Sequence, residues 1–174
     1  MLTLITGGSA SGKSEYAEQL IAASHCEPRI YIATMQPFDA ECEARIAKHR
    51  CARAGRGFAT IERYTNLAGM SIPQGSAVLL ECMSNLVANE LYSESGAREN
   101  AVQEILRGVE LLCESAHDVV VVSNEIFSDG VQYDPETAYY IDTLGEINRQ
   151  LAQRADRVVE VVYTIPVYHK GERT

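Results

Sequence analysis

The chain has 174 residues, of which 46% are hydrophobic and 22% are charged, a composition typical of a single globular domain. Its formal net charge of −9 argues against a protein that lives on DNA or RNA, because nucleic-acid binding requires a basic face. No apolar run reaches the roughly 20 residues that cross a bilayer, and the first residues lack the basic and long apolar regions of a signal peptide. We therefore expect a cytoplasmic protein with no nucleic-acid partner and no stable membrane insertion.

Apolar runs alternate with helical patterns along the chain, which predicts a mostly parallel sheet with helices on both faces. In chain order, strands are predicted at residues 2–6, 29–34, 76–81, 118–123 and 157–163, and helices at 14–23, 39–51, 98–116 and 135–154. The four valines at 119–122 are typical of a central strand. The segment 55–75 is predicted to be irregular. We interpret residues 1–174 as one α/β domain.

A phosphate-binding motif follows the first predicted strand and opens the first predicted helix. It matches G-x-x-x-x-G-K-[ST] at every fixed position: Gly7, Gly8, Ser9, Ala10, Ser11, Gly12, Lys13 and Ser14. Glycines allow backbone angles that turn successive N–H groups around phosphates, and the helix offers its positive end. We expect Lys13 to act on the β- and γ-phosphates and the Ser14 hydroxyl to ligate Mg²⁺. The motif predicts a P-loop NTPase-like fold.

A P-loop enzyme also needs a carboxylate for the metal ion, usually at the end of a neighbouring strand. Glu81 follows the apolar run at 77–80, and Glu125 comes shortly after the valine strand. Glu81 is the preferred ligand, and Glu125 is the alternative.

The most basic stretch of the chain surrounds His49 and contains Arg45, Lys48, Arg50, Arg53 and Arg56. Such a stretch is too small for a nucleic-acid duplex but large enough for one triphosphate. His49 is either a solvated bystander or a nucleophile that attacks a held triphosphate, which would split one transfer into two through a covalent phosphoramidate. Nearby positive charge lowers the pKa of a histidine and favours the neutral, nucleophilic form. The other histidines lack such surroundings and are interpreted as structural or solvated: His25, His117 and His169.

The five cysteines are odd in number and show no C-x-x-C spacing. They predict reduced cytosolic thiols rather than a disulfide framework or a zinc site: Cys26, Cys42, Cys51, Cys82 and Cys113.

With these residues assembled, the chain resembles the bifunctional adenosylcobinamide kinase / adenosylcobinamide-phosphate guanylyltransferase family of cobalamin synthesis, from residue 2 to about residue 162. The H-R-x-x-R block at 49–53 and the Asn-Glu pair after the valine strand make this resemblance specific. The matching residues are the P-loop, Tyr31-Ile32-Ala33-Thr34, Arg45-Ile46, His49-Arg50, Arg53, Thr60, Glu62, Leu79-Leu80-Glu81-Cys82, Asn89, Ser123-Asn124-Glu125, Asp142, Gly145, Asn148, Leu151-Ala152 and Ala155-Asp156.

The resemblance implies that a nucleoside triphosphate, GTP or ATP with Mg²⁺, phosphorylates adenosylcobinamide. GMP then passes from GTP to His49 and on to adenosylcobinamide phosphate, which gives adenosylcobinamide-GDP. His49 and Lys13 are the implied catalytic residues, and Ser14 and Glu81 the implied metal ligands. Further nucleotide contacts are implied at Ala33, Thr34, Met35, Arg50, Cys51, Ala52, Arg53, Glu62 and Glu81, and a homotrimer is the implied assembly.

Departures from the family pattern keep other functions open. Ile126-Phe127 follows Glu125 where the family commonly has glycine, Ile141 replaces an arginine before Asp142, and Ala54 and Phe58 replace proline and tryptophan. A member with only one of the two activities is therefore an alternative, as is a monofunctional P-loop small-molecule kinase. A non-catalytic GTP-binding module is the third possibility, although the chain contains no N-K-x-D motif.

Overall fold

The computed structural model describes residues 1–37, 44, 46, 47, 55–127 and 130–172. Within these residues seven strands form one sheet: β1 (Leu2–Thr6), β2 (Arg29–Ala33), β3 (Phe58–Glu62), β4 (Ala77–Leu80), β5 (Asp118–Val122), β6 (Arg157–Val162) and β7 (Ile165–Lys170). The spatial order is β3-β2-β4-β5-β1-β6-β7, and among the described strand pairs only β6–β7 is antiparallel. The predicted mostly parallel α/β fold is confirmed.

Four α-helices accompany the sheet in the described part of the chain: α1 (Lys13–Ala23), α2 (Met83–Tyr92), α3 (Ala101–Ser115) and α4 (Pro135–Arg154). Asp134 starts α4, because its carboxylate accepts hydrogen bonds from the backbone N–H groups of Glu136 and Thr137. None of these helices is both long and apolar enough to span a membrane.

The central strands are buried on both faces, as β5 shows. Val119 and Val121 belong to a core that includes residues of α2, α3 and α4, whereas Val120 and Val122 belong to a second core with Ala17 and Ile21 of α1. Because successive strand residues point to opposite faces, two apolar cores need a continuous apolar strand. The helices therefore cover both faces of the sheet, as the sequence predicts.

Three elements of the structure, β3, α2 and β7, were not predicted from the sequence. Strand β3 lies within the segment predicted to be irregular, so that prediction is wrong for Phe58–Glu62, and α2 and β7 were not predicted. Each has a weak local signal: β3 and β7 are the edge strands of the sheet, and α2 buries polar residues along with apolar ones. The helix predicted at 39–51 falls almost wholly outside the described residues.

Candidate nucleotide-binding site

The P-loop is a tight turn between β1 and α1. Gly7 has φ 152° and Gly12 has φ 92°, conformations that side chains disfavour. A Cβ atom on Gly7 would lie 2.5 Å from the backbone oxygen of Val161, and one on Gly12 would lie 2.9 Å from the Thr164 methyl carbon. Glycine is therefore required at both positions by conformation and by space.

The β6–β7 hairpin supports this loop. Tyr163 and Thr164 form the two-residue connection, and both have positive φ, as type I′ hairpin turns require. The backbone N–H of Thr164 donates to the Ser11 oxygen at 2.8 Å, and that of Glu125 donates to the Gly7 oxygen at 3.1 Å. Two carbonyl groups of the loop are thus held by neighbouring segments, which fixes the curvature of the loop.

The start of α1 supplies hydrogen-bond donors at the loop. The first N–H groups of any α-helix lack partners within the helix, and the N-cap residue here is Gly12, which has no side chain to accept from them. These donors and the positive end of the helix dipole suit an anion such as a phosphate group.

Lys13 lies against the loop. Its Nζ donates to the Gly8 oxygen at 2.9 Å. Burial lowers the pKa of Lys13 below its ordinary value of 10.5, and the nearby Cys82, when ionised, partly opposes this effect. The ammonium group is therefore partly desolvated, and this strengthens its attraction for a phosphate.

Four parallel strands end around one cleft of about 370 Å³. Because the carboxyl ends of β1, β2, β4 and β5 lie at the same edge of the sheet, the segments that follow them converge there. The residues lining the cleft are Ser9, Ala10, Lys13, Ser14, Met35, Glu81, Cys82, Asn85, Val122, Asn124 and Ile126. The structure thus brings the P-loop side chains Lys13 and Ser14 into one cavity with Glu81 and Met35.

The two candidate metal ligands occupy different cavities. Glu81 shares the cleft of Lys13 and Ser14, and its backbone N–H donates to the Ile32 oxygen at 3.0 Å. Glu125 instead lines an adjoining hollow of about 600 Å³, and its Oε1 accepts from the backbone N–H of Phe127 at 3.1 Å. The hollow and the cleft share two residues, Ser9 and Ile126. The arrangement favours Glu81 as the residue that faces the P-loop lysine.

Asn85 is a cleft residue that the sequence did not single out. Its Nδ2 is buried and has no hydrogen-bond partner within the described residues. A buried donor without a hydrogen bond destabilises a folded protein unless a ligand or a water molecule accepts from it. Asn85 lies four residues after Glu81, in the first turn of α2. This position could have indicated a cleft residue, but α2 was not predicted.

Three other predicted nucleotide contacts lie beside the cleft rather than on its lining. Thr34 is fully buried; its hydroxyl donates to the Cys82 oxygen at 2.9 Å, and its own carbonyl accepts from Asn89 Nδ2 at 2.9 Å. Ala33 pairs with Glu62 where β2 and β3 end. The exposed carboxylate of Glu62 accepts a hydrogen bond from Tyr64 at 2.9 Å. These residues lie at the same edge of the sheet but do not line the cleft of Lys13.

The predicted nucleophile and its basic neighbours lie outside the described residues: Arg45, Lys48, His49, Arg50, Cys51, Ala52 and Arg53. Arg56, the last member of the basic stretch, is described. Its guanidinium forms an ion pair of 2.8 Å with Glu18, a buried residue of α1. The Arg56–Glu18 ion pair thus connects the end of the basic stretch to α1.

A solved structure of a KaiC-like protein from Pyrococcus horikoshii shares the fold, with a TM-score of 0.53. The alignment covers 99% of this chain and 80% of that one at 12% identity, so the likeness concerns the fold alone. A mostly parallel sheet, a glycine turn after β1 and a lysine–serine pair at the start of α1 together define a P-loop nucleotide-binding protein.

The family model described as cobinamide kinase / cobinamide phosphate guanyltransferase matches residues 3–168. The bifunctional adenosylcobalamin biosynthesis protein CobU of Escherichia coli is 35% identical, with 96% of this chain and 98% of that protein covered. The bifunctional adenosylcobalamin biosynthesis protein CobP of Pseudomonas aeruginosa is 34% identical, with 99% of each covered. The chain belongs to the cobinamide kinase / cobinamide phosphate guanyltransferase family, and the predicted resemblance is confirmed.

Proposed function

We propose that this chain phosphorylates adenosylcobinamide with a nucleoside triphosphate and then transfers GMP from GTP, through His49, to adenosylcobinamide phosphate. The observation that carries the proposal is the convergence of Lys13, Ser14 and Glu81 on one cleft at the P-loop, in a chain that the family model matches over residues 3–168. The convergence supports triphosphate binding, and family membership supports the two reactions.

In the kinase step the P-loop amides and Lys13 hold the β- and γ-phosphates. A hydroxyl oxygen of the acceptor attacks the γ-phosphorus and its proton passes to solvent. The bond between the γ-phosphorus and the oxygen that bridges it to the β-phosphorus breaks, and the nucleoside diphosphate leaves. Lys13 and the helix N-terminus face the charge that moves onto the leaving oxygen, and donors fixed beforehand stabilise such charge without reorganising. The Asn85 amide, which lines the same cleft, supplies a further donor.

The side chains of the cleft fit a magnesium ion. Ser14 offers a hydroxyl oxygen and Glu81 a carboxylate oxygen, which are the hard donors that Mg²⁺ prefers, and both line the cavity of Lys13. We propose these two residues as its ligands; the place of Glu125 in the adjoining hollow makes it the less favoured alternative. When bound, the ion would neutralise part of the triphosphate charge.

In the second reaction a ring nitrogen of His49 attacks the α-phosphorus of GTP. The bond between the α-phosphorus and its bridging oxygen breaks, pyrophosphate leaves, and GMP remains on the imidazole. A phosphate oxygen of adenosylcobinamide phosphate then attacks the same phosphorus, the P–N bond breaks, and adenosylcobinamide-GDP forms. Because two different phosphorus atoms react, either the nucleotide or the segment that bears His49 changes position between the steps. We propose that Arg50 to Arg53, Ala33 to Met35 and Glu62 contact the nucleotide in one of these positions.

We place the acceptor in the hollow that adjoins the cleft. Tyr133, Thr137, Tyr140 and Ile141 line this hollow, which meets the cleft at Ser9 and Ile126. Its apolar and aromatic lining suits a large organic acceptor, and its junction with the cleft would bring the acceptor hydroxyl to the γ-phosphate.

Two labelled forms of GTP separate the activities. Label in the γ-position should move to adenosylcobinamide, and label in the α-position should appear on the protein in an acid-labile, base-stable bond. His49→Asn should abolish the protein label and leave the first transfer largely intact. The matched control is His169→Asn, which alters an exposed histidine that pairs with Glu160 in the β6–β7 hairpin and should change neither transfer.

Other outcomes would select the alternatives. Transfer of γ-label without any α-label on the wild-type protein would contradict the guanylyltransferase half and indicate a monofunctional kinase. Slow hydrolysis of GTP without a modified corrinoid would indicate a nucleotide-binding module. Equal loss of both transfers in His49→Asn would assign that residue a shared role.

A further inference from the structure

A second cluster of reactive side chains lies at the opposite edge of the sheet from the P-loop. Cys26 follows the end of α1, and His117 and Asp118 stand at the start of β5. One potential ligand atom from each residue, a sulfur, a ring nitrogen and a carboxylate oxygen, lies within 4.8 Å of the other two. Since α1 has 11 residues and rises about 1.5 Å per residue, this cluster is roughly 16 Å from the phosphate loop.

The spacing of these atoms suits a tetrahedral metal ion. His117 Nδ1 lies 3.4 Å from Asp118 Oδ1. Two ligands on a tetrahedral zinc ion, with bonds of about 2.0–2.1 Å, are separated by about 3.3 Å. The nitrogen and oxygen are therefore already placed for a shared ion, and a small movement of the sulfur would complete the set.

Ser24 orients two members of the cluster. Its hydroxyl donates to Asp118 Oδ2 at 2.7 Å and accepts from the backbone N–H of Cys26 at 3.2 Å. One carboxylate oxygen is thereby engaged, while Oδ1 faces the histidine. Hydrogen bonds of this kind fix ligand orientation in established metal sites.

Solvent access also suits an ion. The cluster borders a depression of about 370 Å³ at the protein surface, so an ion and a water molecule can enter. A Cys26 thiolate and the Asp118 carboxylate would supply two negative charges for a divalent cation. These two anionic ligands would offset the cationic groups of Met1 and Arg157, which line the same depression. His117 would contribute as a neutral imidazole.

We propose that Cys26, His117 and Asp118 bind one Zn²⁺ ion, with a water molecule as the fourth ligand. The mixture of sulfur, nitrogen and oxygen donors matches the preferences of zinc. On binding, the Cys26 thiol loses its proton to solvent as the S–Zn bond forms. The ion would join the segment after α1 to the first residue of β5 and so brace the far end of the helix whose first residue is Lys13.

Spacing along the chain did not predict this site. The cysteine pattern indicated no zinc site and His117 was interpreted as structural or solvated, because the three ligands come from two distant segments that only the parallel sheet brings together. The proposal replaces both interpretations.

Cobalt and zinc titrations of tag-free protein test the proposal. Co²⁺ should bind with one-to-one stoichiometry, give the near-ultraviolet absorption of a thiolate–cobalt bond, and be displaced by Zn²⁺. Cys26→Ser should remove that absorption, and His117→Gln should weaken binding by more than the roughly tenfold loss expected for Ser24→Ala. Two matched controls, Cys113→Ser and His169→Gln, should bind like wild type. GTP binding should persist in all variants, which verifies that they fold.

Two results would overturn the proposal. One is the absence of saturable one-to-one binding by the wild-type protein. The other is binding that survives both Cys26→Ser and His117→Gln, which would place the ion elsewhere on the chain. Because no readout depends on corrinoid chemistry, failure here would leave the proposed enzyme activity untouched.

Discussion

The two ends of α1 carry sites that are built in different ways. At its first turn, backbone geometry makes the site: Gly7 and Gly12 take positive φ, and the N–H groups of the loop and helix provide the donors. Beyond its last turn, side chains make the proposed site, from Cys26 on one segment and His117 and Asp118 on another. A backbone site is encoded in one contiguous motif, whereas a side-chain site depends on how the fold joins distant segments.

Replacing the P-loop lysine should give the largest effect. Lys13→Ala removes the partly buried ammonium that faces the phosphates, and loss of one such stabilising group lowers kcat by about 10²–10³-fold. Lys170→Ala is the matched control, because that lysine caps the backbone oxygens of Ala152 and Gln153 far from the cleft. Steady-state phosphorylation of adenosylcobinamide measures both. Similar rates for the two variants would remove Lys13 from the mechanism.

The second largest effect should separate the two candidate metal ligands, Glu81 and Glu125. Glu81→Gln retains shape but removes the charge that faces Lys13 and Ser14, so we expect turnover to fall by at least about tenfold and the Mg²⁺ requirement to rise. Glu125→Gln should leave the Mg²⁺ requirement close to that of wild type, since Glu125 lines the adjoining hollow. Titration of activity with Mg²⁺ distinguishes them. A larger change in the Glu125 variant would reverse the assignment.

Adjacent glycines provide a stability test of the loop. Gly7→Ala would place a Cβ 2.5 Å from the Val161 oxygen at a positive φ, whereas a Cβ on Gly8 meets no described residue within 4 Å. We expect Gly7→Ala to cost about 1–3 kcal/mol of unfolding free energy or more, and Gly8→Ala to cost much less. Urea or thermal unfolding gives both values. Equal stabilities would mean that the strained loop geometry is wrong.

The smallest expected effect is a shift in the pH dependence of kcat/KM. Burial lowers the pKa of Lys13, so in the free enzyme this residue loses its proton, and its attraction for phosphate, at a lower pH than an ordinary lysine. The alkaline limb of kcat/KM should therefore begin below pH 10.5, and Lys13→Arg should shift it upward because arginine stays charged. An identical alkaline limb in Lys13→Arg would assign the titration to another group.

Most of the fold and the core of the site could be predicted because their signals are local. The strands β1, β2, β4, β5 and β6 were located to within a residue or two. The first four are largely buried apolar runs, as expected for strands covered on both faces, whereas β6 is only partly buried and was found from its valines. The P-loop follows from spacing alone, and the end of β4 indicated Glu81.

The missed elements depend on tertiary contacts. Helix α2 buries Asn89 and Glu90, which blurs its apolar stripe; Asn89 bonds the Thr34 oxygen, and Glu90 accepts from the backbone N–H groups of Asn66 and Ala97. Thr34 and Asn66 lie 55 and 24 residues away and Ala97 lies beyond the end of the helix, so the sequence of the helix itself does not contain these partners. The Asn85 amide, which has no partner among the described residues, was also missed, because its place at the cleft is visible only once the start of α2 is known.

Intact-protein and peptide mass spectrometry after exposure to GTP and Mg²⁺ tests the central claim most directly. The account predicts one GMP adduct per chain, located on the peptide that contains His49, absent from His49→Asn and lost when adenosylcobinamide phosphate is added. An unmodified wild-type protein, or an adduct on any other residue, would contradict it.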